Sequence, residues 1–182
     1  MRTSLSFLAA GTAVALGAFA SAQIQRLDLP TMLAKSDNAL FAEIVDKHVF
    51  RVDHPVDGPE LYFTTLTLAG RSLVDGKALT VDVTYPGGFV SEKEGVHNSE
   101  APSADDVKLG NHVVAFYFWN ERMGGGVSGN MLQAMHGGLF RTVSSPGAKG
   151  GAVVLGRGDG YAVDHNLALA DLETSIRSLA GK

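Results

Sequence analysis

The stretch that decides the fold is Asn111-His112-Val113-Val114-Ala115-Phe116-Tyr117-Phe118-Trp119, the longest apolar run outside the N-terminal residues. It is rich in β-branched and aromatic side chains, and polar residues and three consecutive glycines follow it. Such a run between turn signals predicts a β-strand that is covered on both faces. We therefore expect it to lie centrally in a sheet or barrel, with the other strands arranged around it.

Alternating apolar residues predict further strands on both sides of this run. They are residues 39–52, 60–73, 79–85, 131–143 (interrupted by Gly137-Gly138) and a last hairpin of 152–155 with 161–163. In the first segment the alternation slips near Val45 and Asp46, which predicts a β-bulge in a long, bent strand. Helical spacing predicts a short helix at 29–36 and a C-terminal helix at about 167–180.

The number of strands indicates the fold class. Five or six strands with two short helices in a chain of 182 residues favour a small antiparallel, OB-like β-barrel. A sandwich of the immunoglobulin type would need about seven shorter strands. We therefore predict a mainly β protein with one domain over residues 23–182, flanked by a short N-terminal and a C-terminal helix.

Residues 1–22 have the organisation of a secretory signal peptide. Arg2 precedes the apolar residues 5–18, and Ala20-Ser21-Ala22 supplies the cleavage signature. We expect a secreted or periplasmic protein with no membrane span after cleavage. The chain has no cysteine, so its fold cannot depend on disulfides. The formal charge of −4 and the absence of a Lys/Arg cluster argue against nucleic acid as a partner.

Several short motifs follow one another in a recognisable order. They are Ser36-Asp37, the threonine-rich residues 64–68, Pro86-Gly87-Gly88, residues 110–116, residues 133–140 and Leu169-Ala170-Asp171-Leu172. In this order they resemble a widespread group of uncharacterised exported bacterial proteins with an OB-type barrel akin to tissue inhibitor of metalloproteinase and netrin modules. The resemblance implies the fold and the exported location, and it implies no activity. The inhibitors chelate a protease metal through an N-terminal cysteine, and this chain has none.

Motifs for catalysis and cofactors are weak. Gly124, Gly126 and Gly129 have the spacing of a dinucleotide fingerprint, but a strand rather than a helix is predicted after them. Ser128 misses the nucleophile elbow because Asn130 replaces the last glycine. A glycine-rich hairpin loop is the better interpretation, and no cofactor is expected.

Candidate metal ligands occur in two places. Asp53, His54 and Asp57 form the densest cluster of carboxylates and imidazole, and His112 and His136 would meet if their strands were neighbours. Solvated acidic turns and hydrogen-bonded histidines give the same pattern, so no metal site is predicted from it. These residues support only the alternative hypothesis of a metal-dependent hydrolase.

The polar residues 89–109 are longer than an ordinary connection, which is typical of a lid or binding loop. They follow the strand end Tyr85-Pro86-Gly87-Gly88-Phe89, and we predict that both contact a ligand. The leading hypothesis is an exported, non-catalytic binding or interaction module of the bacterial cell envelope, whose partner is a protein or a small ligand. A metal-dependent hydrolase and a protease-inhibitor-like protein are the alternatives.

Overall fold

A computed structural model describes residues 25–181, so the expected signal peptide lies outside the described residues. The helices are α1 (Leu29–Ala34), a 3-10 helix (Met135–Gly138) and α2 (Leu169–Ala180). The strands are β1 (Asn38–His54), β2 (Gly58–Ser72), β3 (Ala78–Pro86), β4 (Gly88–Ser91), β5 (Glu94–Val96), β6 (His112–Gly124), β7 (Val127–Leu132), β8 (Leu139–Ser144), β9 (Ala152–Val154) and β10 (Leu167–Ala168). Neither α-helix in the described range has the length and apolarity needed to span a membrane.

Five strands close into a barrel. Hydrogen bonds join them in the order β1-β2-β3-β7-β6, and β6 pairs back with β1. Four of these pairings are antiparallel, whereas β3 and β7 run parallel. Beyond β6, the strands β8, β9 and β10 continue the sheet outside the barrel. The predicted small, mainly β barrel with a short N-terminal and a C-terminal helix is confirmed, but its sheet is mixed rather than wholly antiparallel.

Residues 113–117 of β6 are buried on both faces, as the apolar run predicts. The prediction is wrong for the end of the run, where Trp119 is 56% exposed. Val113, Ala115 and Tyr117 point into the barrel, while Val114 and Phe116 point outward beneath other elements. The inward side chains belong to an inner core, whose residues are Leu40, Ala42, Ile44, Leu66, Leu68, Val83, Tyr85, Val107, Val113, Ala115, Tyr117, Leu132, Met135 and Leu139. Burial on both faces explains why this strand shows no polar alternation.

An outer core lies between the barrel and the helices. Its residues are Leu27, Met32, Ala39, Leu73, Val114, Phe116, Phe140, Ala152, Val154, Ala162, Val163, Leu169, Leu172 and Ile176. The rings of Phe116 and Phe140 meet edge to face, with centroids 6.1 Å apart. Two parallel hydrogen bonds of 2.7 Å from the Arg71 guanidinium to the Glu173 carboxylate fasten α2 to β2. The helices therefore cover one outer side of the barrel.

The bulge in β1 shapes the end of the barrel. The register with β2 shifts between Ile44 and Asp46, which confirms the predicted bulge, and Val45 is left exposed. Before the bulge β1 pairs with both β2 and β6, and after it β1 pairs with β2 alone. Residues 46–54 and 58–67 thus form an antiparallel ribbon, called here the β1–β2 ribbon.

Two sequence predictions need correction. The strand predicted at 161–163 is wrong, because β9 pairs with β8 and β10 instead. The backbone amides of Arg157 and Gly158 donate to the carbonyls of Val163 and Asp164, both at 2.9 Å, and this closes a compact loop. The polar stretch 89–109 is not all loop, since it contains most of the β4–β5 hairpin.

Candidate ligand-binding cleft

A cleft of about 690 Å³ opens where the β1–β2 ribbon, the end of β3, the β4–β5 hairpin and the segment before β6 meet. The lining residues are Lys47 and Val49 of β1, Thr64 of β2, Tyr85 of β3, Gly88 and Phe89 of β4, Val96 of β5, residues 97–99, 101–104, 106 and 107, His136 and Arg157. Small-molecule sites span roughly 300–1,000 Å³ and combine apolar walls with a few polar groups. The cleft has that size and composition.

The structure places the predicted strand end at this cleft. Tyr85, Gly88 and Phe89 line it, together with much of the predicted loop. Pro86 and Gly87 do not line it but hold the surrounding elements together through their carbonyl groups. The Asn98 side-chain amide donates to the Pro86 carbonyl at 2.9 Å.

A glycine is required where β4 crosses the ribbon. Gly88 has a φ of +131°, and a Cβ there would lie 2.3 Å from Thr64 Oγ1 and 2.9 Å from Val49 Cγ1. Thr64 Oγ1 also donates to the Gly87 carbonyl at 2.7 Å. This close approach seats the hairpin on the inner face of the ribbon, where it forms one wall of the cleft.

The β4–β5 hairpin is also fastened by ionic contacts. Glu94 Oε1 accepts hydrogen bonds from Arg51 Nη1 at 3.2 Å and from the Tyr62 hydroxyl at 3.3 Å, both on the ribbon. Phe89 and Val96 remain 52% and 46% exposed at the mouth of the cleft. The hairpin thus presents apolar side chains that nothing in the described structure fully covers.

The floor of the cleft is continuous with the inner core. Tyr85 and Val107 belong to that core and also line the cleft. Burial raises the pKa of the Tyr85 phenol, and a hydrogen bond with the Thr64 side chain partly offsets the increase. At neutral pH Tyr85 is therefore a neutral hydroxyl that can donate a hydrogen bond.

Arg157 holds the segment before β6 in place. Its Nη2 lies 3.0 Å from Asp106 Oδ2, and Nε and Nη2 donate to the Leu139 carbonyl at 3.1 and 2.7 Å. Its guanidinium also lies over the Phe140 ring, 5.7 Å from the centroid. All of these partners are within the fold, so Arg157 acts as an anchor of the cleft wall.

Lys47 is the other cation of the lining. Within the described residues it forms no salt bridge. The lining contains Asp106 as its carboxylate, and that group is paired with Arg157. With neutral histidines the cleft therefore carries a net charge of +1, although the whole chain carries −4.

Lys47 was not among the site residues predicted from the sequence, although the sequence contains a signal that locates it. Before the bulge the even-numbered residues of β1, such as Ala42 and Ile44, face the inner core. The bulge shifts this alternation, so that Lys47 and Val49 pair with the inward-facing Leu66 and with Thr64. Carrying the predicted bulge through the strand would have turned Lys47 toward the inner face.

The candidate metal ligands at the ribbon tip serve structural contacts. His54 Nδ1 accepts hydrogen bonds from the backbone amides of Val56 at 3.3 Å and Asp57 at 3.1 Å. The same nitrogen lies 3.3 Å from Asp57 Oδ2. Asp57 Oδ2 instead accepts from the Gly125 amide at 2.7 Å, and Asp53 Oδ1 and Oδ2 accept from the Arg51 guanidinium.

His112 and His136 have different neighbours. The His112 ring packs against Phe41, with centroids 5.8 Å apart. His136 Nδ1 lies 3.2 Å from the Glu100 carbonyl, and its Nε2 lies 3.4 Å from the Tyr161 hydroxyl. Across residues 25–181, no three His, Cys, Asp or Glu side chains are grouped so that they could hold a metal ion.

Comparisons with known proteins identified no relative of this chain. Protein-family models, curated proteins and solved structures were each compared with the chain, and none of them matches. The resemblance to exported OB-type proteins therefore stays a prediction. The functional proposal depends on the geometry of the cleft.

Proposed function

We propose that this protein is an exported, non-catalytic binding module of the bacterial cell envelope and that its ligand occupies the cleft. The observation that carries the proposal is the cleft itself, about 690 Å³ in volume and built from four distant parts of the chain. Its floor is the buried end of the barrel, and its walls are anchored by Glu94 and Arg157. Such a preformed site reduces the ordering cost that a ligand must overcome.

The barrel supports the proposed fold family, and the signal-like residues 1–22 support the proposed location. Five strands close the barrel, and its third and fifth strands, β3 and β7, run parallel, which favours an OB-type barrel. Barrels of this type bind ligands with strand faces and the loops around them. The signal-like residues 1–22 would direct the chain out of the cytoplasm.

The polar groups around the cleft favour binding over catalysis. Nucleophilic catalysis needs a hydroxyl or thiol within reach of a base. Among the hydrogen bonds of the described residues, Ser103 Oγ on the lining makes none with a histidine, and it accepts one from the Asp106 amide at 3.1 Å. Asp106 itself pairs with Arg157. These contacts stabilise the wall, so that recognition depends on the shape of the cleft, its apolar side chains and its unpaired Lys47.

The test is native mass spectrometry of the protein isolated from the envelope or medium of the producing bacterium. Ala104→Trp adds a large ring at an exposed position on the lining, whereas Ala78→Trp adds it at the exposed start of β3, away from the cleft. We expect a bound small molecule on the wild type and on Ala78→Trp and its loss from Ala104→Trp. A wild type without a bound molecule, or equal retention by both variants, would contradict the proposal.

A further inference from the structure

We infer that the ligand is a small amphiphile with an apolar body and a single anionic head group, and that the head group pairs with Lys47. This inference rests on the proposed binding function of the cleft and adds the chemical class of the ligand. It follows from three features of the lining: its apolar side chains, its single unpaired cation and its neutral phenol.

The apolar side chains form both the floor and the mouth of the cleft. Val107 and Tyr85 are buried at the floor, whereas Phe89 and Val96 are about half exposed at the mouth. A ligand that covers Phe89 and Val96 removes apolar surface from water, which contributes about 25 cal/mol per Å². A polar ligand such as a sugar or a free phosphate would leave this contribution unused.

The charges of the lining select the sign of the head group. Arg157 and Asp106 neutralise each other at 3.0 Å, which leaves Lys47 as the cation without a salt-bridge partner among the described residues. Lys47 is exposed, pairs across β1 and β2 with Leu66, an inner-core residue, and lines the cleft. An anion is favoured there, and a cationic amphiphile would be repelled.

The Tyr85 phenol lies in the cross-strand row next to the one that contains Lys47. Val49, Thr64 and Tyr85 face one another across β1, β2 and β3, and Lys47 is two residues from Val49 on the same face. Tyr85 lines the same cleft and adds a polar but uncharged group to it. One ammonium beside uncharged side chains suits a monoanion such as a carboxylate or sulfonate better than a polyanion.

Two fluorescent probes separate the head group from the body. Anilinonaphthalene sulfonate and phenylnaphthylamine share the same rings, and only the first carries a negative charge. We expect one sulfonate site on the wild type, displaced by decanoate and not by decyltrimethylammonium. Lys47→Met should weaken sulfonate binding about fivefold, because a partly exposed ion pair contributes about that much to affinity. The same variant should change phenylnaphthylamine binding by less than about twofold, because that probe carries no charge.

Two variants control for the charge and for its position. Lys47→Arg keeps the cation and should retain most of the affinity for the sulfonate. Lys35→Met removes an exposed lysine from the end of α1, outside the cleft lining, and should change neither titration. Equal loss of sulfonate binding in both methionine variants would overturn the inference, because the effect would then depend on net charge alone.

Different results would contradict the anionic ligand class and the binding function of the cleft. If both probes bind the wild type at one site and Lys47→Met changes neither affinity, the anionic class is wrong and the binding function stands. If neither probe binds the wild type, or both still bind Ala104→Trp unchanged, the cleft is not the binding site and the proposed function fails with the inference.

Discussion

Arg157 should be the residue on which the cleft wall depends most, and replacing it by methionine tests how the wall is held. The side chains of Arg157 and Asp106 are only 21% and 17% exposed, and the substitution removes their ion pair together with the bonds to the Leu139 carbonyl. A hydrogen bond to a charged group contributes about 1.5–3 kcal/mol, and breaking a fully buried ion pair costs about 3–5 kcal/mol. Because both groups keep some contact with water, we expect a loss of about 2–3 kcal/mol.

Urea and thermal unfolding measure this loss. For a domain of this size, 2–3 kcal/mol corresponds to a decrease in Tm of roughly 5–10 °C. A double-mutant cycle with Asp106→Asn should give a coupling energy of about 1–2 kcal/mol. Hydrogen exchange should accelerate in residues 97–107, the part of the wall that Arg157 anchors.

A matched control separates the anchor from the mere loss of an arginine. Arg122 is exposed on β6, and Arg122→Met should change stability by less than about 0.5 kcal/mol. The reasoning would be refuted if Arg157→Met were as stable as this control, or if exchange in residues 97–107 stayed at the wild-type rate. The stability of Arg157→Lys should lie between those of Arg157→Met and Arg122→Met. Lysine keeps the positive charge but lacks the planar guanidinium that makes several hydrogen bonds at once.

Three further predictions concern the rest of the molecule. Hydrogen bonding to Arg71 lowers the pKa of Glu173 from 4.5, so the stability from this contact is complete above pH 4.5 and is lost as the pH falls through the lower folded pKa. The difference in urea midpoint between wild type and Glu173→Gln should therefore shrink from pH 7 to pH 3, and a constant difference would contradict this. Gly70→Ala would place a Cβ 2.1 Å from a backbone oxygen of β1 and should destabilise the fold by more than about 3 kcal/mol. Gly147→Ala has open space around its Cβ and should leave the stability nearly unchanged. Equal melting temperatures for the two variants would contradict this. The mature protein from envelope or medium should begin at Gln23 by intact mass, and an uncleaved chain would disprove the signal peptide.

Much of the fold was predictable because it follows from local patterns. The apolar run 111–119 has no polar alternation because residues 113–117 of β6 are buried on both sides, and the slip near Val45 marks the bulge of β1. The β4–β5 hairpin was not predictable in the same way. Its strands are four and three residues long, and its Glu94 is fixed by contacts with Arg51 and Tyr62, which are more than thirty residues away in sequence.

The candidate site was predictable only in part, for the same reason. The strand end from Tyr85 to Phe89, of which Tyr85, Gly88 and Phe89 line the cleft, was predicted because a strand followed by glycines and a long polar segment has a local signature. Arg157 stood in a glycine-rich turn, and nothing near it in sequence indicates Asp106, which lies 51 residues earlier and pairs with it. Long-range pairs of this kind are set by the closed barrel and appear only once its topology is known.

The most direct test of the central claim is to map the binding site by amide chemical shifts while anilinonaphthalene sulfonate is titrated into isotope-labelled wild-type protein. The claim predicts that the largest shifts cluster at residues 47–49, 64, 85–89 and 96–107, the elements that surround the cleft. A second, smaller cleft of about 340 Å³ lies between α1 and α2, where Leu33 and Leu179 line it. Shifts centred on that smaller cleft, or scattered over the surface, would contradict the claim.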